Sequence, residues 1–240
     1  MTDSSAFLRE LEASVRRRDA FRRRWSRVRI AAMWIGGPLL LMHLFAGGSP
    51  VQWGAPVRGR VIEEQTANPL PGVLVVGRWY TRGFNGEHLI YASETLTDAR
   101  GEYILPGMPP KIRPLLDRYD YRSPEIQVYK PGWGVNTVNE LPRGHYTDTW
   151  WARAPRIVSY WNGKDIPLPK IDPHLEDEAL TMMHDYAMWL GEPKEWPTNS
   201  RRLPILWKTL VEGYRRLPPG VEPRSGNPQM QIDYIEKESR

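Results

Sequence analysis

The sequence predicts a mainly β protein: an antiparallel β-sandwich preceded by one transmembrane helix and followed by a helical hairpin. Three observations lead there. Between residues 55 and 135, short β-branched and aromatic runs recur between turn residues and without helical periodicity. Residues 30–48 are nineteen consecutive residues without a formal charge, directly behind a run of arginines. After residue 171, apolar side chains recur at helical spacing.

The N-terminal elements are read from charge. Residues 1–30 hold nine Arg against Asp3, Glu10, Glu12 and Asp19, whereas residues 31–240 carry 24 basic and 24 acidic groups. The net charge of +5 is therefore that of a short arm, and a neutral body indicates no nucleic-acid partner. Leu8, Leu11, Val15, Phe21, Trp25 and Val28 are spaced loosely as one helical face of the arm. Arg16, Arg17, Arg18, Arg22, Arg23, Arg24, Arg27 and Arg29 fill the rest. Two readings stay open: a basic helix lying on the inner leaflet, or a solvated arm that only sets topology.

Residues 30–48 measure about 28 Å as a helix, enough for a bilayer core. Ala46-Gly47-Gly48 would suit a signal-peptidase cut, and a buried soluble helix is a third option. The long arginine-rich lead favours an uncleaved signal anchor, with a basic cytoplasmic arm at 1–29.

The strand signals follow in order. Pro56 to Ile62 alternates, and Gly72 to Tyr80 is β-branched and aromatic. Asn85-Gly86 marks a hairpin leading to a strand over Leu89–Thr97. Asp98 and Gly101 stand at the first and fourth positions of a type I turn, before Glu102–Pro106. Glu125–Lys130 is the next strand, and Ile166–Lys170, with two prolines, suits a last edge strand.

Val57-Arg-Gly-Arg-Val-Ile62, Asn68-Pro-Leu-Pro-Gly-Val-Leu-Val75, Thr97-Asp-Ala-Arg-Gly-Glu-Tyr103 and Val128-Tyr-Lys-Pro-Gly-Trp133 occur in that order. Together they resemble the carboxypeptidase regulatory-like domain family over roughly residues 55–135. The resemblance implies a prealbumin-like (transthyretin-like) sandwich, placed here at 55–170. It also implies an accessory module without chemistry of its own. A Pro-rich insert at 107–123 departs from the short turn of that family. In the signature Val61, Val73, Val75, Tyr103 and Leu105 are the expected core, and Gly72 and Gly101 the tight backbone positions.

Residues 133–162 concentrate aromatics, and Trp133, Tyr146, Trp150, Trp151 and Trp161 form a candidate interaction surface for a glycan or a protein. The same side chains would equally serve to cover the sandwich or the membrane interface. A helical hairpin is expected at 171–217. Its first helix is capped by Asp172-Pro173, with an apolar face of Leu175, Ala179, Met182, Tyr186 and Trp189. Its second starts near Pro204, with Leu203, Trp207, Leu210, Tyr214 and Leu217 inward. An irregular tail occupies 218–240.

The sequence lacks cysteine, which excludes disulfide scaffolds, zinc ribbons, thiol catalysis and iron–sulfur clusters. His174, Asp177, Thr181 and His184 share a helical face, but the two histidines are about 15 Å apart along a helix and cannot share one ion. His88 or His145 would have to complete a metal site, and a solvated face is the ordinary reading. A Ser159–His145–Asp165 triad has no motif behind it. No cofactor is expected. The expected protein is a single-pass protein of a bacterial inner membrane, with the C-terminal domain periplasmic. It would serve as a non-catalytic binding or assembly subunit in a membrane complex, with a glycan-binding module as the alternative.

Overall fold

The structure is a computed structural model. It describes residues 34–38, 41, 51–84, 86–114, 117–119, 123–140, 156–172, 175–188, 203–217, 221 and 233. The chain divides into two compact units, Met1–Ala46 and Gly47–Arg240. In the first, residues 34–38 and 41 are helical. Among the described residues no helix is long and apolar enough to cross a membrane. The basic arm, the rest of 30–48 and nearly all of the 218–240 tail lie outside them.

The second unit is mainly β, with eleven strands and two helices among the described residues. The strands are β1 (Val51–Gly54), β2 (Val57–Glu63), β3 (Leu74–Gly83), β4 (Gly86–Leu96), β5 (Glu102–Leu105) and β6 (Lys111–Ile112). They continue as β7 (Arg118–Tyr119), β8 (Glu125–Tyr129), β9 (Val135–Val138), β10 (Arg156–Ile157) and β11 (Lys164–Leu168). The sheets run β10-β1-β6, β11-β2-β5 and β4-β3-β8-β9, with β7 added beside β3.

Alternation decides what each strand buries. Val57 and Val61 of β2, Tyr103 and Leu105 of β5, and Ile166 and Leu168 of β11 enter one cluster. Val75 and Trp79 of β3 and Ile126 and Val128 of β8 join them, together with Val73 just before β3. The core expected from the signature is therefore in place. A slip of one residue would turn each set outward, forfeiting about 1.5–3 kcal/mol for every fully buried large side chain.

The turn before β5 forms as the residues require. Gly101 N–H donates to the Asp98 carbonyl at 2.9 Å, and Asp98 Oδ1 accepts from the N–H groups of Arg100 and Glu102. Gly101 has φ +72°, and a Cβ there would lie 2.7 Å from the Val61 carbonyl oxygen, so glycine is needed for both hand and space. Buried Thr97 ties this turn to the previous one: its Oγ1 donates to the Leu70 carbonyl and accepts from Val73 N–H.

The other face of β3 is covered too. Leu74, Val76 and Tyr129 pack under helices α1 (Glu176–Met188) and α2 (Pro204–Arg216), against Leu180, Met183, Leu206, Trp207 and Leu210. Burial on both faces is why Val73-Leu-Val-Val76 is a continuous apolar run. Helix α2 begins with Pro204, which has no N–H to satisfy, and lacks a side-chain cap from its own N-terminus. Its next two N–H groups, from Ile205 and Leu206, both donate to the Glu94 carboxylate of β4 at 2.7 Å. The sheet itself caps the helix.

Several expectations need correction. The pairing is not wholly antiparallel, because β11 joins β2 and β10 joins β1 in parallel. The last edge strand sits two residues earlier than expected, with Pro167 on the sheet edge. The insert holds two short strands that extend other sheets, β6 on β1 and β7 on β3. Helix α1 is rotated from its expected face: Ala179 and Tyr186 are buried, whereas Leu175 and Met182 are 47% and 56% exposed. Leu180, Met183 and Ala187 take their place. Trp189, Pro173 and His174 lie outside the described residues.

Candidate functional site

Along β3 the outward positions change character. Leu74 and Val76 lie beneath the helices, and the next outward residues are Arg78 and Tyr80. On the adjoining strands Glu125 and Gln127 of β8 and Glu87 and Leu89 of β4 stand at the same end. The C-terminal part of α1 arches over them with Met182, Asp185 and Tyr186. A cleft of about 410 Å³ remains between helix and sheet. A register shift in the β3–β4 pair falls between Trp79 and Tyr80, beside this cleft. Such irregularities re-aim side chains.

Arg78 is the centre of the cleft and is buried. Its Nη2 pairs with Glu125 Oε1 at 2.5 Å, and its Cζ lies 3.3 Å from the centre of the Tyr186 ring. Nη1 donates to the Tyr186 carbonyl at 3.4 Å, and Tyr80 stands on another side. Burial penalises the charge, but Tyr186, Tyr80 and Glu125 outweigh that penalty and hold the guanidinium above its ordinary pKa. Burial likewise raises the Tyr186 phenol well above its usual range. At the rim Arg82 pairs with Glu87. Three carboxylates, from Glu87, Glu125 and Asp185, thus line the space; Arg78 holds Glu125 and Arg82 holds Glu87, so the acidic excess among the described lining residues is that of exposed Asp185.

This chemistry suits recognition. A fixed, stacked and paired cation is a structural and binding element. The acidic excess at the mouth, with Leu89 and Met182 beside it, favours a ligand that is positively charged with an apolar stem.

The residues singled out from the sequence lie elsewhere. Trp133 and Trp161 are half-buried against the inner cluster, and Trp161 Nε1–H donates to the Asn139 carbonyl at 2.8 Å. Tyr146, Trp150 and Trp151 are outside the described residues, as are the eight arginines of the arm. Ser159 is buried and donates to Glu140 Oε1 at 2.6 Å, while Asp165 accepts two hydrogen bonds from Arg60. Those two members of the nominal triad therefore serve different partners, and His145 lies outside the described residues. Burial raises the Glu140 pKa, although Ser159 and the Tyr160 N–H oppose it.

His184 is not on a solvated face. It is buried, with Nδ1 2.7 Å from the Tyr214 hydroxyl of α2, and burial lowers its pKa. Among the described residues no group of three or more His, Cys, Asp or Glu could hold a metal ion. The cleft itself was missed because strand alternation made Arg78 and Glu125 look solvent-facing. The weak signal was an Arg inside an otherwise apolar run followed by two aromatics. Comparison with family models, curated proteins and solved structures returns no match for this chain.

Proposed function

We propose that this chain is a membrane-anchored, non-catalytic binding or assembly subunit. In this reading residues 30–48 anchor it in a bacterial inner membrane, and a prealbumin-like β-sandwich of the carboxypeptidase regulatory-like kind is held in the periplasm. The sandwich reading is supported by the shared inner cluster of the β2 and β3 sheets and by the Asp98–Gly101 turn. The topology reading is supported by nine arginines ahead of the uncharged stretch and a neutral body behind it.

The observation that carries the binding role is the Arg78 cleft. Its buried cation is stacked and paired, and its accessible rim is acidic. A partner segment presenting a basic side chain fits it. The test is purification of the full chain in mild detergent followed by mass spectrometry. A partner at constant stoichiometry should be present with wild type and lost with Asp185→Lys and Met182→Lys, two rim changes that leave the buried pair alone. Retention of the same partner by both variants would refute the cleft as the binding surface. The glycan alternative gains no support from Trp133 and Trp161, whose rings pack against the inner cluster.

A further inference from the structure

Three polar atoms of residues that line the Arg78 cleft are sealed from solvent and make no hydrogen bond: Arg78 Nε, Gln127 Oε1 and the Tyr186 hydroxyl. All three side chains are more than nine-tenths buried. Gln127 is the register partner of Val76, so it stands diagonally beside Arg78 on the same face of the adjoining strand. Its Nε2 donates to Thr137 of β9 at 3.2 Å, which leaves the oxygen alone without a partner. A buried donor or acceptor in that state carries its full desolvation penalty, and folded proteins hold few of them. Three about one cleft concentrate the penalty where the sheet meets the end of α1 that bears Tyr186.

That end of the helix is also weakly held. Its last turn, Asp185–Met188, contains an acid and no base, so it lacks the positive charge that complements a helix C-terminus. Its catch is Arg78, whose guanidinium lies against the Tyr186 ring and reaches the Tyr186 carbonyl only at 3.4 Å. Met182, one turn earlier at the mouth, is exposed and seals little. The middle of the helix is fixed differently: Leu180 and Met183 are fully buried, and His184 Nδ1 lies 2.7 Å from the Tyr214 hydroxyl of α2. We propose that the last turn of α1 is a lid over the Arg78 cleft, lifting beyond His184 to admit the partner segment. The inference rests on the cleft being the binding surface. Lifting gives Arg78 Nε–H, Gln127 Oε1 and the Tyr186 hydroxyl the partners they lack. A peptide amide of the entering segment offers both an acceptor for the first and a donor for the second, beside the basic side chain that suits Asp185.

Deleting an unpartnered atom should close the lid, the reverse of what losing a useful hydrogen bond does. Tyr186→Phe removes the hydroxyl and keeps the ring against Arg78. Gln127→Met removes the oxygen, and exposed Thr137 takes water in place of the lost amide. Amide hydrogen exchange of the full chain in mild detergent is read at Tyr186, Ala187 and Met188, with Leu206 and Leu210 of α2 as the reference. Each variant is expected to slow exchange in the last turn of α1 by about fivefold or more and to leave α2 unchanged. The share of partner recovered in the same detergent should fall with it, because the state that binds is populated less. Unchanged or faster exchange at 186–188 in both variants would overturn the lid, as would equal slowing in α2. Slower exchange with full recovery of the partner would overturn its role in admission. Met182→Lys, which leaves the last turn and all three atoms in place, judges the cleft separately. Loss of the partner there keeps the cleft as the binding surface even where the lid has failed, and retention overturns both.

Discussion

Removing the carboxylate of Glu94 tests whether the larger sheet caps helix α2. Glu94→Ala leaves the N–H groups of Ile205 and Leu206 without their acceptors, since Pro204 ahead of them contributes no donor and the helix has no side-chain cap of its own. Loss of an N-cap acceptor costs about 0.5–2 kcal/mol, and two charge-assisted bonds on one carboxylate place this case near the upper end, at about 1–2 kcal/mol. For a domain of this size that lowers the thermal midpoint by about 2–8 °C. Burial raises the Glu94 pKa despite the two hydrogen bonds. The folded protein therefore holds this proton more tightly than the unfolded chain. Stability falls as pH rises from the ordinary value of 4.5 to the raised folded value, and is level beyond it. Glu94→Gln keeps one acceptor without a desolvated charge, so it should cost less than Ala at pH 7 and remove that pH dependence. Circular dichroism melts of the three proteins, with amide exchange at Ile205 and Leu206, measure both effects. A wild-type midpoint for Glu94→Ala with both amides still protected would refute the cap.

Gly101→Ala should lose more than about 2 kcal/mol, because φ +72° and the contact with the Val61 carbonyl add; Gly163→Ala, at φ +81° with open space, should lose about 1 kcal/mol in the same urea titration. Arg78→Met should cost about 2–3 kcal/mol by stranding Glu125, and adding Glu125→Gln should recover most of it, a coupling that a double-mutant cycle reads. Because burial lowers the His184 pKa, its contribution is intact above about pH 6.5 and lost as pH falls from there through the folded value. His184→Gln should flatten that part of the stability–pH curve, while Tyr214→Phe should cost about 1 kcal/mol at pH 7.5.

What was legible in the sequence was local. The Asp98–Gly101 turn, the hairpin before Gly86, the signature core and Pro204 as a helix start all follow from residues within a few positions of one another. The cleft and the cap were not legible for the opposite reason. Arg78 and Glu94 occupy outward strand positions, and what buries or uses them arrives more than a hundred residues later, at Tyr186 and at Ile205 and Leu206. Helix α1 misled because Ala179, Leu180, Met182 and Met183 spread apolar atoms over an arc of about 160°, so spacing alone does not choose which part of that arc meets Tyr129. The parallel joins were hidden likewise, since alternation shows which face a strand buries but not the direction of its neighbour.

The parallel join of β11 to β2 has a consequence for how the protein is made. Arg60 and Asp165, paired across it, stand 105 positions apart. A chain emerging from its N-terminus completes β2 early and must keep that edge unfilled until Lys164–Leu168 appears. During that interval Val57 and Val61 lie beside a row of unbonded peptide groups, the surface on which a second nascent copy would add. Closure over so long a loop is slow compared with hairpin formation. Synthesis halted before residue 164 should therefore yield aggregates rather than a smaller folded protein, and efficient production should depend on a holding chaperone during that delay.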